Sequence, residues 1–147
     1  MKFYLFIFFF SLLNSTSAQK QFSIELNKNW QFRKQGEKKW HNATVPGTVH
    51  TDLLANKLIP DPFFRDNENK LQWIDKANWE YKTFFDAGKD VFSQRQIELV
   101  FDGLDTYADV YLNGKLILKA NNMFRGWNVD VKQLIKVTNN ELRVVFY

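Results

Sequence analysis

The chain has 147 residues, 45% of them hydrophobic and 24% charged. Those proportions suit a folded globular chain and exclude a disordered or collagen-like one. Its 20 basic and 16 acidic residues are interspersed and sum to +4, so no basic stripe marks a nucleic-acid partner. There is no cysteine, which removes disulfides, thiol catalysis, Cys-ligated zinc and iron–sulfur clusters. Aromatic residues reach 17%, which suits a β-sandwich core or a sugar-facing surface.

Met1-Lys2 gives a short positive start, and Phe3 to Leu13 is apolar apart from Ser11. Asn14-Ser-Thr-Ser-Ala18 follows, placing Thr16 and Ala18 where a signal peptidase reads small residues. The apolar run is shorter than the roughly 20 residues a membrane-spanning helix needs. Residues 1–18 are therefore expected to be a signal peptide, leaving a mature segment 19–147 exported to a periplasm or secreted. No membrane attachment is expected after cleavage.

Beyond Phe22 the pattern is mostly period two. Phe22, Ile24 and Leu26 alternate with Ser23 and Glu25, and Trp30-Gln-Phe32-Arg resumes the alternation after an Asn27-Lys-Asn29 turn. Pro46 to Asn56 departs from it: Val49, Leu53 and Leu54 share a helical face, Thr48 can cap the start, and Pro60 limits extension. A long loop is expected between Ile59 and Asn78. Strands then recur over Trp79 to Phe85, over Ile97 to Phe101 (with both faces able to be covered), and over Tyr107 to Leu112. Asn113-Gly114 is a strong hairpin signal, because both residues tolerate positive φ. Leu116 and Leu118 lie on the partner strand, and Leu142, Val144 and Phe146 on the last one.

These short strands with one short helix predict an all-β fold, a jelly-roll β-sandwich. Glu141 to Tyr147 ends as a strand without a closing turn, and about seven strands are visible where a jelly roll has eight. The domain is expected to be incomplete at its C-terminus, with an unpaired sheet edge beside Val144 and Phe146.

Chemistry-bearing motifs are sparse. No glycine-rich phosphate loop, GxSxG elbow or HExxH pattern occurs, and His41 and His50 are the sole histidines. No cofactor and no metal are expected. Asp61, Asp66 and Glu68 crowd the long loop around Arg65, and Asp102, Asp105 and Asp109 surround the Gly103 turn. Paired carboxylates serve glycoside hydrolysis, yet both groups read more simply as turn chemistry. Trp73, Trp79 and Trp127 can stack on a sugar ring or fill the core.

Several segments resemble one family. Val45-Pro-Gly-Thr-Val-His-Thr-Asp-Leu53, Ile59-Pro-Asp-Pro-Phe63 with Asn67-Glu68, and Trp73-Ile-Asp with Trp79-Glu-Tyr are similar to the N-terminal domain of β-mannosidases of glycoside hydrolase family 2. Phe101-Asp-Gly-Leu-Asp-Thr-Tyr-Ala-Asp-Val-Tyr-Leu-Asn-Gly114 and Asn122-Met-Phe124 extend the match. The resemblance implies a galactose-binding-like jelly roll from an enzyme that releases terminal β-D-mannose with retention. It also implies immunoglobulin-like and TIM-barrel domains outside these residues, the barrel carrying the two catalytic glutamates, so no catalytic residue is assigned here. The expected partner is a β-mannoside oligosaccharide. Asp61, Arg65, Asn67 and Glu68 are candidates for the edge of the substrate pocket. The other reading is a packed surface loop in which Asp61 and Asn67 satisfy backbone N–H groups. A free-standing carbohydrate-binding module is the alternative function.

Overall fold

The computed structural model describes residues 22–147; the expected signal peptide lies outside them. Eight strands are present among these residues: β1 (Gln31–Lys34), β2 (His41–Asn42), β3 (Trp79–Phe85), β4 (Glu98–Phe101), β5 (Tyr107–Leu112), β6 (Lys115–Asn121), β7 (Trp127–Asp130) and β8 (Asn140–Phe146). Six form one antiparallel sheet in the order β2-β1-β3-β8-β5-β6, and β4 pairs with β7 in a second.

Alternation decides which side chains enter the core. Phe32 lies opposite Tyr81, Tyr81 opposite Val144, and Val144 opposite Val110, so one row crosses four strands. Each of these residues is at most 8% exposed. Leu99, Ile97, Val131 and Ile135, on and around the smaller sheet, join the same apolar cluster. The two sheets thus enclose one core, as a sandwich requires.

The Asn113-Gly114 turn forms as expected, with φ of 52° and 81°. Those two left-handed residues make the primed turn that matches strand twist. Behind the hairpin, fully buried Asn140 spends its side-chain amide on backbone groups. It accepts from the Lys136 N–H at 2.8 Å and donates to the carbonyls of Lys136 and Phe85 at 2.8 and 3.3 Å. The Asn113 amide donates to Asn140 Oδ1 at 3.1 Å, joining the hairpin to this network.

Four expectations are corrected. Phe22 to Leu26 forms no strand, because β1 already has β2 on one side and β3 on the other. The last strand is not beside an open edge: β8 lies between β3 and β5, with Val144 paired to Tyr81 and Val110. β4 is covered on one face only, leaving Glu98 and Val100 exposed and Leu99 buried. The helix is not alone. Besides α1 (Val49–Ala55), the described residues include α2 (Asn67–Leu71), α3 (Gly88–Phe92) and a 3₁₀ turn at Ile74–Lys76. The stretch expected as a long loop folds into α2 and that turn because buried Leu71 and Ile74 anchor it to the core.

Candidate functional site

α1 begins where the sequence says it should. The Thr48 hydroxyl accepts from the Thr51 N–H at 3.3 Å, while Thr51 Oγ1 accepts from the Thr48 N–H at 3.2 Å, a reciprocal cap. At the other end Lys57 takes φ of 57°, and Leu58 N–H donates to the Leu53 carbonyl at 2.9 Å, closing a Schellman turn. Two ties hold the helix to the sheet. Asn56 donates to the Asn42 carbonyl at 2.8 Å, and Asp52, 2% exposed, accepts from the Thr44 N–H at 2.8 Å and the Tyr81 hydroxyl at 3.0 Å. Burial raises the Asp52 pKa, although both hydrogen bonds pull it down. Burial also raises that of Tyr81, reinforced by the Asp52 charge and hydrogen bond.

The fixed helix presents His50 to a depression of about 260 Å³. α2 contributes Glu68 and Leu71, the following residues Gln72 and Asp75, and the preceding loop Pro62 and Phe63. His50 Nε2 lies 3.8 Å from Asp75 Oδ1, beyond hydrogen-bond reach, and both side chains face solvent. Leu71 is buried, whereas Phe63 is 96% exposed at the rim. An exposed phenyl ring beside an imidazole, two carboxylates and an amide can receive a hydroxylated ring: C–H surfaces meet Phe63, and hydroxyls meet the polar groups.

Of the four residues expected at a pocket edge, Glu68 lines this depression. Its carbonyl accepts from Gln72 Nε2 at 3.2 Å, leaving its carboxylate for other partners. Asp61 Oδ1 accepts from the Phe63 N–H at 2.9 Å, and its carbonyl from Asn67 Nδ2 at 2.9 Å. These two residues therefore brace the loop. Arg65 sits at φ of 55° with its guanidinium 5.2 Å from the Phe64 ring centroid. From sequence His50 reads as a helix-surface or interface hydrogen-bonding group ahead of a catalytic base, and Asp75 is given no site role. They are 25 positions apart, and no local spacing signals that they meet.

Of the tryptophans, Trp79 is buried and donates to the Ile74 carbonyl at 3.0 Å, so it is core. Trp127 is partly buried under Arg125, whose guanidinium lies 4.0 Å from its ring centroid. Trp73 keeps 40% of its surface exposed. In the other acidic group, Asp109 accepts from the Tyr147 hydroxyl at 3.1 Å, and Asp105 accepts from the adjacent Thr106 hydroxyl.

Residues 30–147 match the family described as glycosyl hydrolase 2 galactose-binding domain-like. The chain belongs to this family. It is 42% identical over 126 residues to β-mannosidase B of Thermothelomyces thermophilus, covering 84% of this chain and 15% of that one. It is 38% identical over 122 residues to β-mannosidase of Bos taurus, covering 83% and 14%. Among solved structures it is similar to β-D-mannosidase from Dictyoglomus thermophilum, with 44% identity and a TM-score of 0.83. That match covers 84% of this chain and 15% of the other. The chain thus spans about 15% of the length of these relatives.

Proposed function

We propose that these residues are the N-terminal galactose-binding-like domain of a retaining β-mannosidase acting on terminal β-D-mannose. What supports this reading most is the joint likeness to β-mannosidases, 44% identity with a TM-score of 0.83 over most of the chain. In this reading catalysis belongs to a carboxylate pair presented elsewhere in the enzyme, and this domain serves the pocket. The depression around His50, Glu68 and Asp75 edges that pocket and hydrogen-bonds substrate hydroxyls, while Asp61 and Asn67 hold the loop that carries Phe63. A hydroxyl-reading group matters because leaving a buried polar partner unpaired penalises the wrong sugar strongly.

The test is steady-state kinetics of the complete enzyme on an aryl β-mannoside. Glu68→Ala and His50→Ala should each lower kcat/KM about tenfold, or ~1.4 kcal/mol of transition-state binding, with the melting temperature nearly unchanged. Normal kinetics in both variants would remove the depression from the substrate site. We also propose export, with cleavage after Ala18. Protein recovered from its host should begin at Gln19, and a retained Met1 would refute this.

A further inference from the structure

A second depression, of about 200 Å³, opens elsewhere on the domain. Neighbouring residues of one segment serve the two: Leu71, Gln72 and Asp75 line the first, and Trp73 lines the second. Three of the residues around it are aromatic. Phe32 and Trp79 are buried, 6.0 Å apart between ring centroids, and Trp73 lies 6.0 Å from Trp79 while remaining 40% exposed. Leu53 and Leu58 add aliphatic wall, and Lys34, Glu37 and His41 supply polar groups.

Those polar groups are uncommitted. Among the described residues, no hydrogen bond or ion pair engages the Lys34 ammonium, the Glu37 carboxylate or the His41 imidazole nitrogens. Lys34 instead hovers 5.3 Å from the Trp73 ring centroid, and His41 packs 5.9 Å from Phe32. By contrast Arg33, which also lines the depression, is tied to the Glu80 carboxylate and the Glu37 carbonyl. The rim therefore offers a donor, an acceptor and a group able to be either, beside the exposed Trp73 ring, which buried Trp79 supports from behind.

From this we infer a carbohydrate subsite of its own, separate from the pocket edge, that takes a single neutral pyranose ring. The space is smaller than the ~300 Å³ at which drug-sized sites begin, which suits one ring and not a chain. Trp73, the exposed ring of the three, meets the C–H face of the sugar, while buried Phe32 and Trp79 back the depression, and Lys34, Glu37 and His41 meet its hydroxyls. A neutral ring is favoured over a charged one because a cation and an anion stand at the same rim. The site does not depend on the proposed catalytic role.

Tryptophan fluorescence of the full chain, titrated with methyl β-D-mannopyranoside and separately with methyl β-D-glucopyranoside, tests it. A saturable change with a dissociation constant on the order of 1 mM is expected for so small a ligand. Trp73→Ala should weaken binding at least tenfold, His41→Ala several-fold, and Trp73→Phe should keep most of it. In the complete enzyme, aryl-mannoside turnover should be normal in His41→Ala, which separates this subsite from the pocket edge. No saturable change with either glycoside overturns the inference. So does binding that survives both Trp73→Ala and His41→Ala, or His41→Ala turnover that falls with binding. If Trp73→Ala does not fold, His41→Ala and Lys34→Ala decide the question on the same readout.

Discussion

Removing the Asp52 carboxylate should loosen α1 from the sheet, and the structure sets the size of the effect. Asp52→Ala deletes two charge-assisted hydrogen bonds, from the Thr44 N–H and the Tyr81 hydroxyl. Thr44 is exposed, so its N–H finds water, but Tyr81 is only 8% exposed and its hydroxyl is stranded. A stranded buried donor costs about 1–3 kcal/mol, and each hydrogen bond to a charged group contributes about 1.5–3 kcal/mol. The lost carboxylate also relieves its own desolvation, which burial makes substantial. The net expectation is a loss of about 2–3 kcal/mol, a large part of a total stability of about 5–15 kcal/mol. For a domain of this size that lowers the melting temperature by roughly 6–15 °C. Thermal and urea melts of Asp52→Ala, Tyr81→Phe and the double variant provide the assay. The double variant should lose less than the two single losses added, with a coupling of about 1–2 kcal/mol. A melting-temperature change under about 2 °C in Asp52→Ala, or strict additivity, would refute the idea of a clamp.

The same pair has a pH signature. Because the folded-state pKa of Asp52 is raised above its ordinary 3.8, its stabilising term is complete below that value and is lost as pH rises through the folded pKa. The stability of Asp52→Asn relative to wild type should therefore improve between pH 3 and neutrality, as urea midpoints at several pH values would show. Tyr81 is raised above 10, so wild type should lose stability as alkaline pH climbs toward its folded pKa, and Tyr81→Phe should lose less of it. Asn140→Ala should cost about 2–3 kcal/mol, since the fully buried amide gives up its bonds to the backbone of Lys136 and Phe85 and to the Asn113 amide; a denaturant midpoint near wild type would contradict this. Glu80 is buried between Arg33 at 2.5 Å and Arg143 at 3.3 Å. Glu80→Ala should cost about 2 kcal/mol, below the value for a fully buried pair because both arginines can rehydrate. Calorimetry should show that loss almost unchanged by added salt, since screening acts weakly on a buried carboxylate.

Much of the sheet was legible because its signals are local. Tyr107 to Leu118 carries alternation, a two-residue turn and alternation again, and it folds as that hairpin. Thr48 announces α1 in the same way, as a cap readable within one turn, and the structure adds the reciprocal bond from Thr51. What stayed hidden depends on partners distant in sequence. Phe22 to Leu26 alternates as well as β1 does, yet alternation is only permission to pair, and the neighbouring edge is occupied by β2. The central place of β8 could not be read from Glu141 to Tyr147 alone, since nothing in a strand names its neighbours. The candidate site shows the same division. Glu68 stood out because the loop around it is rich in carboxylates and prolines, whereas His50 and Asp75 become a pair through the packing of two helical segments.

Asp52 also explains why two separate depressions can exist on so small a domain. α1 has seven residues, too short to be stable in water by itself. Its place is set by the capping box, the Schellman turn and the bonds that Asp52 and Asn56 make to the sheet side. His50 faces one depression and Leu53 lines the other, with Asp52 between them in sequence. A helix tied to the sheet side by Asp52 and Asn56 thus fixes a wall of both. If that is so, Asp52→Asn, which retains shape and can keep a bond to Tyr81, should preserve glycoside binding at the Trp73 depression. Asp52→Ala should weaken it even at temperatures where the variant remains fully folded. Equal affinities in the two variants would mean that α1 keeps its position without the carboxylate, and that the capping box and Schellman turn alone locate the helix.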